Sequence, residues 1–155
     1  MKNTQYEIEK SDVENKFVLD EPQVLYLRTS NYDRQVLLGN LAKSSMELLN
    51  LIVSKTNLTI KTLAETIFEI TPKTFLKYKS TNVKLPSRLA ELALEIDFLY
   101  GLGIDVFGSV SEFNGWLYAE NSFFNDHKPV EFLNTTTGIS LIRDALKRIE
   151  FGATA

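Results

Sequence analysis

The stretch that decides the fold runs from residue 107 to residue 155 and reads FGSVSEFNGWLYAENSFFNDHKPVEFLNTTTGISLIRDALKRIEFGATA. Ser109-x-x-Glu112 has the spacing of a capping box, which predicts a helix beginning just after Gly108. Phe113, Trp116 and Leu117 then recur at i, i+3 and i+4 and form its apolar stripe. Pro129 suits the first turn of a second short helix carrying Val130, Phe132 and Leu133. Ile139, Ile142, Leu146 and Ile149 follow at alternating steps of three and four, predicting one buried face on a final helix from Ile139 to Phe151. Arg143, Lys147 and Arg148 lie off that stripe near the helix C-terminus, where the backbone dipole favours positive charge.

Working outward, 155 residues support one domain or two small ones sharing a core, and 44% apolar residues suffice to build it. No apolar run is long enough to span a bilayer, and the N-terminus lacks the apolar segment of a signal peptide. A cytoplasmic protein with no membrane partner is expected. The absence of cysteine excludes disulfides, thiolate zinc sites and a cysteine nucleophile.

The net charge of −3 argues at first against nucleic acid, but DNA responds to a local field. Residues 70–90 hold five basic side chains (Lys73, Lys77, Lys79, Lys84, Arg88) and no acidic one, leaving 12 basic against 20 acidic elsewhere. This asymmetry suits a DNA reader, although a solvated row of lysines has the same composition.

In chain order, residues 1–30 are polar and mildly acidic and are expected to be an arm or tail, with Val24-Leu25-Tyr26-Leu27 as a short strand or a turn of helix. Val36, Leu37 and Leu41 predict a short helix. Ser44-x-x-Glu47 is a second capping box, followed by Met46, Leu49, Ile52 and Val53 on one face and a stop near Thr56-Asn57. Thr59 can cap a helix carrying Ile60, Leu63, Ala64 and Ile67, and Thr71-Pro72 marks another start 12 residues later. The helix after Thr71 is expected to present Lys73, Thr74, Lys77 and Tyr78 outward, with Phe75 and Leu76 toward the core. Two closely spaced starts with lysines on the second helix are what a major-groove reader needs. Pro86 opens the longest helix, expected to end near Gly101 or Gly103, with Leu89, Leu92, Ala93, Ile96 and Tyr100 as its buried face and Leu85 joining at its start.

Several of these residues together resemble a known family. Phe107-Gly108, Phe113-x-x-Trp116-Leu117, Asn121, Lys128-Pro129, Phe132-Leu133, Thr135-x-x-Gly138 and Arg148-Ile149-Glu150-x-Gly152 resemble the toxin-binding domain of the Xre/MbcA/ParS antitoxins, partners of RES-domain toxins. The family commonly carries a glycine pair where this chain has Asn125-Asp126. Leu63-Ala64 and Ile70-Thr71-Pro72-Lys73-Thr74-Phe75 resemble the helix-turn-helix of the same proteins, but Phe68-Glu69 replaces the turn glycine and the spacing is one residue longer. Because a residue at positive φ is costly unless it is Gly, Asn or Asp, a different turn geometry is expected. Lys73 also stands where the family has arginine, losing bidentate guanine recognition.

The resemblance implies an all-α fold in which an Xre-like helix-turn-helix region is fused through a long helix to a small helical toxin-binding domain. The corresponding parts are an arm at 1–30, the DNA-binding region at 31–106 and the toxin-binding domain at 107–155. It also implies a homodimer that neutralises a NAD-consuming RES toxin by obstructing its active site and binds its own promoter DNA. Candidate DNA contacts are Lys73, Thr74, Lys77, Tyr78, Lys79 and Lys84, and candidate toxin contacts are Arg143, Lys147, Arg148, Glu150, Phe151 and Gly152. An interaction module without DNA binding and a regulator without a toxin are the alternatives.

No catalytic residue, cofactor or metal is expected. His127 is the sole histidine and has no partner at ligand spacing, and no phosphate-binding glycine loop or nucleophile elbow occurs. Glu91 with Glu95, and Glu65 with Glu69, are one helical turn apart, the ordinary pattern of a solvated face.

Overall fold

All regular structure in the residues described by the computed structural model, 44–81 and 83–152, is helical apart from an isolated bridge between Asn121 and His127. Contacts divide the chain into two units, and these residues belong to the second, Asp33–Ala155. The expected arm at 1–30 with its Val24–Leu27 run, and the expected helix at Val36, Leu37 and Leu41, lie outside the described residues.

Helix starts follow the hydroxyl signals. Helix α1, Ser45–Thr56, opens with both bonds of the capping box: Ser44 N–H donates to Glu47 Oε2 (2.8 Å) and Glu47 N–H to Ser44 Oγ (3.3 Å). It ends at Asn57, whose left-handed backbone (φ 53°) suits an asparagine. Thr59 Oγ1 accepts from Thr62 N–H (3.1 Å) and starts the next segment, a wide-turn π-helix over Thr62–Ile67. Helix α2, Pro72–Ser80, starts at Thr71, whose hydroxyl accepts from Thr74 N–H, with Pro72 in the first turn. Helix α3, Ser87–Phe107, is the longest; α4 spans Val110–Tyr118 and α5 spans Thr136–Glu150. Two 3₁₀ turns, Ser122–Phe124 and Pro129–Phe132, lie between α4 and α5.

The core is built around α3. Its predicted face of Leu89, Leu92, Ala93, Ile96 and Tyr100 is buried, and so are Leu85 ahead of it and Phe98 and Leu99 beside it. That breadth of burial follows from its neighbours, because α1, α4 and α5 all pack on α3. Phe75, Phe113, Leu117, Leu133, Ile139, Ile142 and Leu146 belong to the same continuous core, while Ile149 is only half-buried.

Two helix ends differ from the sequence expectation. Helix α3 continues through Gly101 and Gly103 and stops at Gly108 (φ 82°), whose N–H donates to the Ile104 carbonyl. A β-carbon at Gly103 would overlap the ring of Phe113, so this glycine makes room for a neighbouring helix and does not end its own. Helix α5 begins three residues earlier than expected, at Thr136, because Thr135 Oγ1 accepts from Gly138 N–H (3.0 Å). Gly138 thus lies in the first turn, against the Phe132 carbonyl, where a β-carbon has no room.

Polar bonds tie distant segments together. Asn114 on α4 donates through Nδ2 to the Thr56 carbonyl at the end of α1 (2.9 Å), and Tyr100 OH donates to Asn114 Oδ1 (2.8 Å). Burial holds the Tyr100 hydroxyl well above its ordinary pKa, keeping it a donor. Lys55 donates to both the carboxylate and the carbonyl of buried Asp97, each at 2.6 Å, joining α1 to α3.

Gly103→Ala should lower stability by about 1–3 kcal/mol, the usual cost of overpacking, despite the better helix propensity of alanine. Urea denaturation checks this, and an unchanged or raised midpoint would mean that the Phe113 ring moves aside without cost.

Candidate functional site

Two surfaces carry the candidate residues. The first is α2 with the turn before it. Its outward stripe is Lys73, Leu76, Lys77 and Ser80, at i, i+3, i+4 and i+7, and all four are exposed. The expectation that Leu76 points to the core is therefore wrong: it is 47% exposed. A nine-residue helix buries a narrow stripe, and here Phe75 fills it, with its ring 5.6 Å from that of Phe68. Tyr78 is also not fully outward, being half-buried against the core. Thr74 is half-buried and its hydroxyl lies 2.9 Å from that of Thr71, so it serves the helix start. Lys79 is half-buried and Lys84 exposed.

Lys73, Lys77, Lys79 and Lys84 form no ion pair among the described residues, whereas Arg88 is bound to Glu69 at 2.9 Å. Four uncompensated positive charges therefore remain on and just after α2.

The turn that aims α2 combines a wide helical turn with a left-handed residue. The extra residue is absorbed by the wide helix Thr62–Ile67, in which Phe68 N–H reaches back five residues to the Leu63 carbonyl (2.9 Å). The left-handed position of a glycine turn is nevertheless occupied, by Glu69 at φ 53°. A non-glycine residue there needs external support. Arg88 Nη2 on α3 donates to Glu69 Oε2 (2.9 Å), and Asn134 Nδ2, just before α5, donates to Oε1 (3.1 Å). The Arg88 bond, and next the Asn134 bond, hold the Glu69 carboxyl below the usual carboxylate range. Sequence reading missed this clamp because its members lie 19 and 65 positions apart. A missing glycine in a turn was the one available signal.

The second surface is the end of α5 with the aromatic cluster beneath it. Rings follow one another in contact from Tyr100 to Phe113 (5.0 Å between centroids), Phe113 to Trp116 (6.1 Å), Trp116 to Phe124 (6.1 Å) and Phe124 to Phe132 (5.3 Å). The loop over this file reverses at Asn125 and Asp126, both left-handed (φ 53° and 62°). Asn and Asp tolerate that region, so the loop reverses here without a glycine.

The candidate toxin contacts divide by accessibility. Arg143 turns onto α3, 3.3 Å from Glu95 Oε2 and with its guanidinium 5.5 Å from the Phe98 ring centre; the Glu95 contact is an ion pair not aligned as a hydrogen bond. Lys147 is half-buried and pairs loosely with Asp144 (3.8 Å). Arg148 is exposed and covers the Phe123 ring at 4.9 Å, which orients it without sequestering it. Glu150 is exposed, Phe151 is 49% exposed, and Gly152 takes a left-handed backbone (φ 74°) at the end of the chain's last described turn. Arg148, Glu150 and Phe151 thus offer a cation, a carboxylate and an apolar ring over four residues of one helix end.

Residues 102–152 match the family model described as the antitoxin Xre/MbcA/ParS C-terminal toxin-binding domain. The segment is similar to that toxin-binding domain over 51 of the chain's 155 residues. The match begins within α3, so the long helix belongs partly to the toxin-binding domain and partly to the region before it. The match supports an antitoxin role with a toxin as protein partner. A search of curated proteins finds no match to the chain. Among the described residues no helix is long and apolar enough to cross a membrane, and no group of three or more metal-ligating side chains occurs.

Glu69→Gly should be more stable than Glu69→Ala by about 1 kcal/mol, since both lose the clamp but only glycine relieves the left-handed strain. Thermal denaturation of the two variants decides it. Equal midpoints would mean that the turn relaxes to negative φ once the carboxylate is gone.

Proposed function

We propose that this chain is the antitoxin of a type II toxin–antitoxin pair, neutralising a RES-type, NAD-consuming toxin by obstructing its active-site cleft. The carrying observation is the toxin-binding domain at residues 102–152, whose final helix ends in exposed Arg148, Glu150 and Phe151. In the proposed complex Phe151 fills an apolar recess, while Arg148 and Glu150 make charged contacts at its rim. A buried aromatic ring with flanking charges is an efficient anchor for a protein interface. Arg143, occupied with Glu95, acts mainly by fixing α5 on α3. The NAD chemistry on this reading belongs wholly to the partner.

The second half of the proposal is autoregulation by a cytoplasmic homodimer that binds its own promoter through α2. Four uncompensated lysines on and after that helix support it, against a chain whose net charge is −3. Lysine in place of arginine supplies charge without bidentate base recognition, so Lys73 and Lys77 act on phosphates.

Co-expression with the product of the adjacent reading frame tests the first half. The neighbour should arrest growth alone, be harmless with this chain and co-purify with it; a harmless neighbour defeats the proposal. Arg148→Glu should restore toxicity while circular dichroism stays unchanged, and full protection would remove Arg148 from the interface. For the second half, Lys73→Ala with Lys77→Ala should weaken binding to the chain's own upstream DNA. The slope of log affinity against log salt should fall by roughly 2, about one per phosphate contact. An unchanged slope would take these lysines off the DNA.

A further inference from the structure

Leu76 is unexplained by the fold. It is 47% exposed at the middle of α2, with Lys73 three residues before it and Lys77 immediately after it on the same outward stripe. Ser80, the next member of the stripe, donates its hydroxyl proton back to the Leu76 carbonyl (2.7 Å), so it offers only an acceptor outward. The outward face of α2 is therefore one apolar side chain between cations.

We propose that Leu76 is a specificity-determining residue that reads a thymine methyl group on the floor of the DNA major groove. The proposal rests on the DNA-binding reading of α2. The groove admits a helix, and thymine's C5-methyl is the apolar mark that a base pair presents there. The lysines, with long flexible stems, reach phosphates on either side of the groove, while the shorter leucine faces the bases between them. Charge selects this occupant over a second copy of the chain. A two-fold contact through this stripe would bring the lysines of one copy against those of the other, and α2 carries no acidic residue to offset them. A polyanion with an apolar feature at its centre fits the stripe; another α2 does not.

The test is selection of binding sites from a random 20-base-pair duplex library by the full-length protein, in parallel with Leu76→Ala, at one fixed salt concentration. Sites selected by the unaltered chain should share at least one thymine. Replacing that thymine with deoxyuridine should weaken binding roughly fourfold, the worth of burying one methyl group. Leu76→Ala should bind the thymine and deoxyuridine duplexes alike, with its salt dependence intact. If both proteins lose the same factor on the deoxyuridine duplex, Leu76 does not read the methyl and this inference fails while DNA binding stands. If no duplex is retained even at low salt, the DNA reading fails and takes this inference with it. If Leu76→Ala instead converts a dimer to a monomer in sedimentation, the leucine serves a contact between copies and the inference is overturned.

Discussion

The ring of Phe113 lies against α3 where Gly103 leaves room for it, and the C-terminal half of the molecule depends on that fit. Phe113 is fully buried, with Tyr100 edge-on at 5.0 Å and Phe107 and Trp116 stacked within about 6 Å. The file of rings that starts here runs on to Phe124 and Phe132 and so supports the loop between α4 and α5. Aromatic pairs of this kind contribute roughly 0.5–1.5 kcal/mol each beyond the area they bury. A small domain with short helices and two 3₁₀ turns has few other sources of rigidity. Helix α5 itself is held chiefly by packing on α3, with Arg148 of its last turn lying over the Phe123 ring.

Helix α3 joins this domain to the preceding region without a linker. The matched domain begins inside it, and α1, α4 and α5 share its surface. Polar bonds reinforce the continuity. Asn114 of the toxin-binding domain closes the open carbonyl of Thr56, and Asn134 of the same domain holds the Glu69 carboxylate in the turn that aims α2. Both are side chains of one region satisfying backbone or strain in the other. The end of α5 and the basic helix α2 are consequently fixed to one frame.

Much of this was legible along the chain. Ser44, Thr59, Thr71 and Ser109, all read as helix starts, each accept a backbone N–H three residues on, because a hydroxyl ahead of a helix satisfies a donor that the helix itself leaves open; Thr135 does the same unread. The periodic apolar residues of α3 and α5 are buried, apart from the half-buried Ile149 at the fraying end. The failures were of two kinds. Gly103 was read as a possible helix end and Gly138 was left outside the last helix, although each is a point of close approach by a residue from another segment. Leu76 was assigned to the core because it is apolar, although Phe75 had already filled the space available to so short a helix.

The sequence by itself determined the helical class, most of the helix starts and the resemblance of the C-terminal segment, because capping, apolar period and short motifs are local and need no knowledge of neighbours. Only the tertiary structure decided what the charged residues do. Among residues alike on paper, Arg88 and Arg143 are bound to Glu69 and Glu95, Arg148 lies over Phe123, and Lys73 and Lys77 face solvent. The turn at Glu69 is of the same kind: its left-handed backbone is held by partners 19 and 65 residues away. Such pairings depend on which surfaces meet after the core has closed, and one chain's order of residues does not record that meeting.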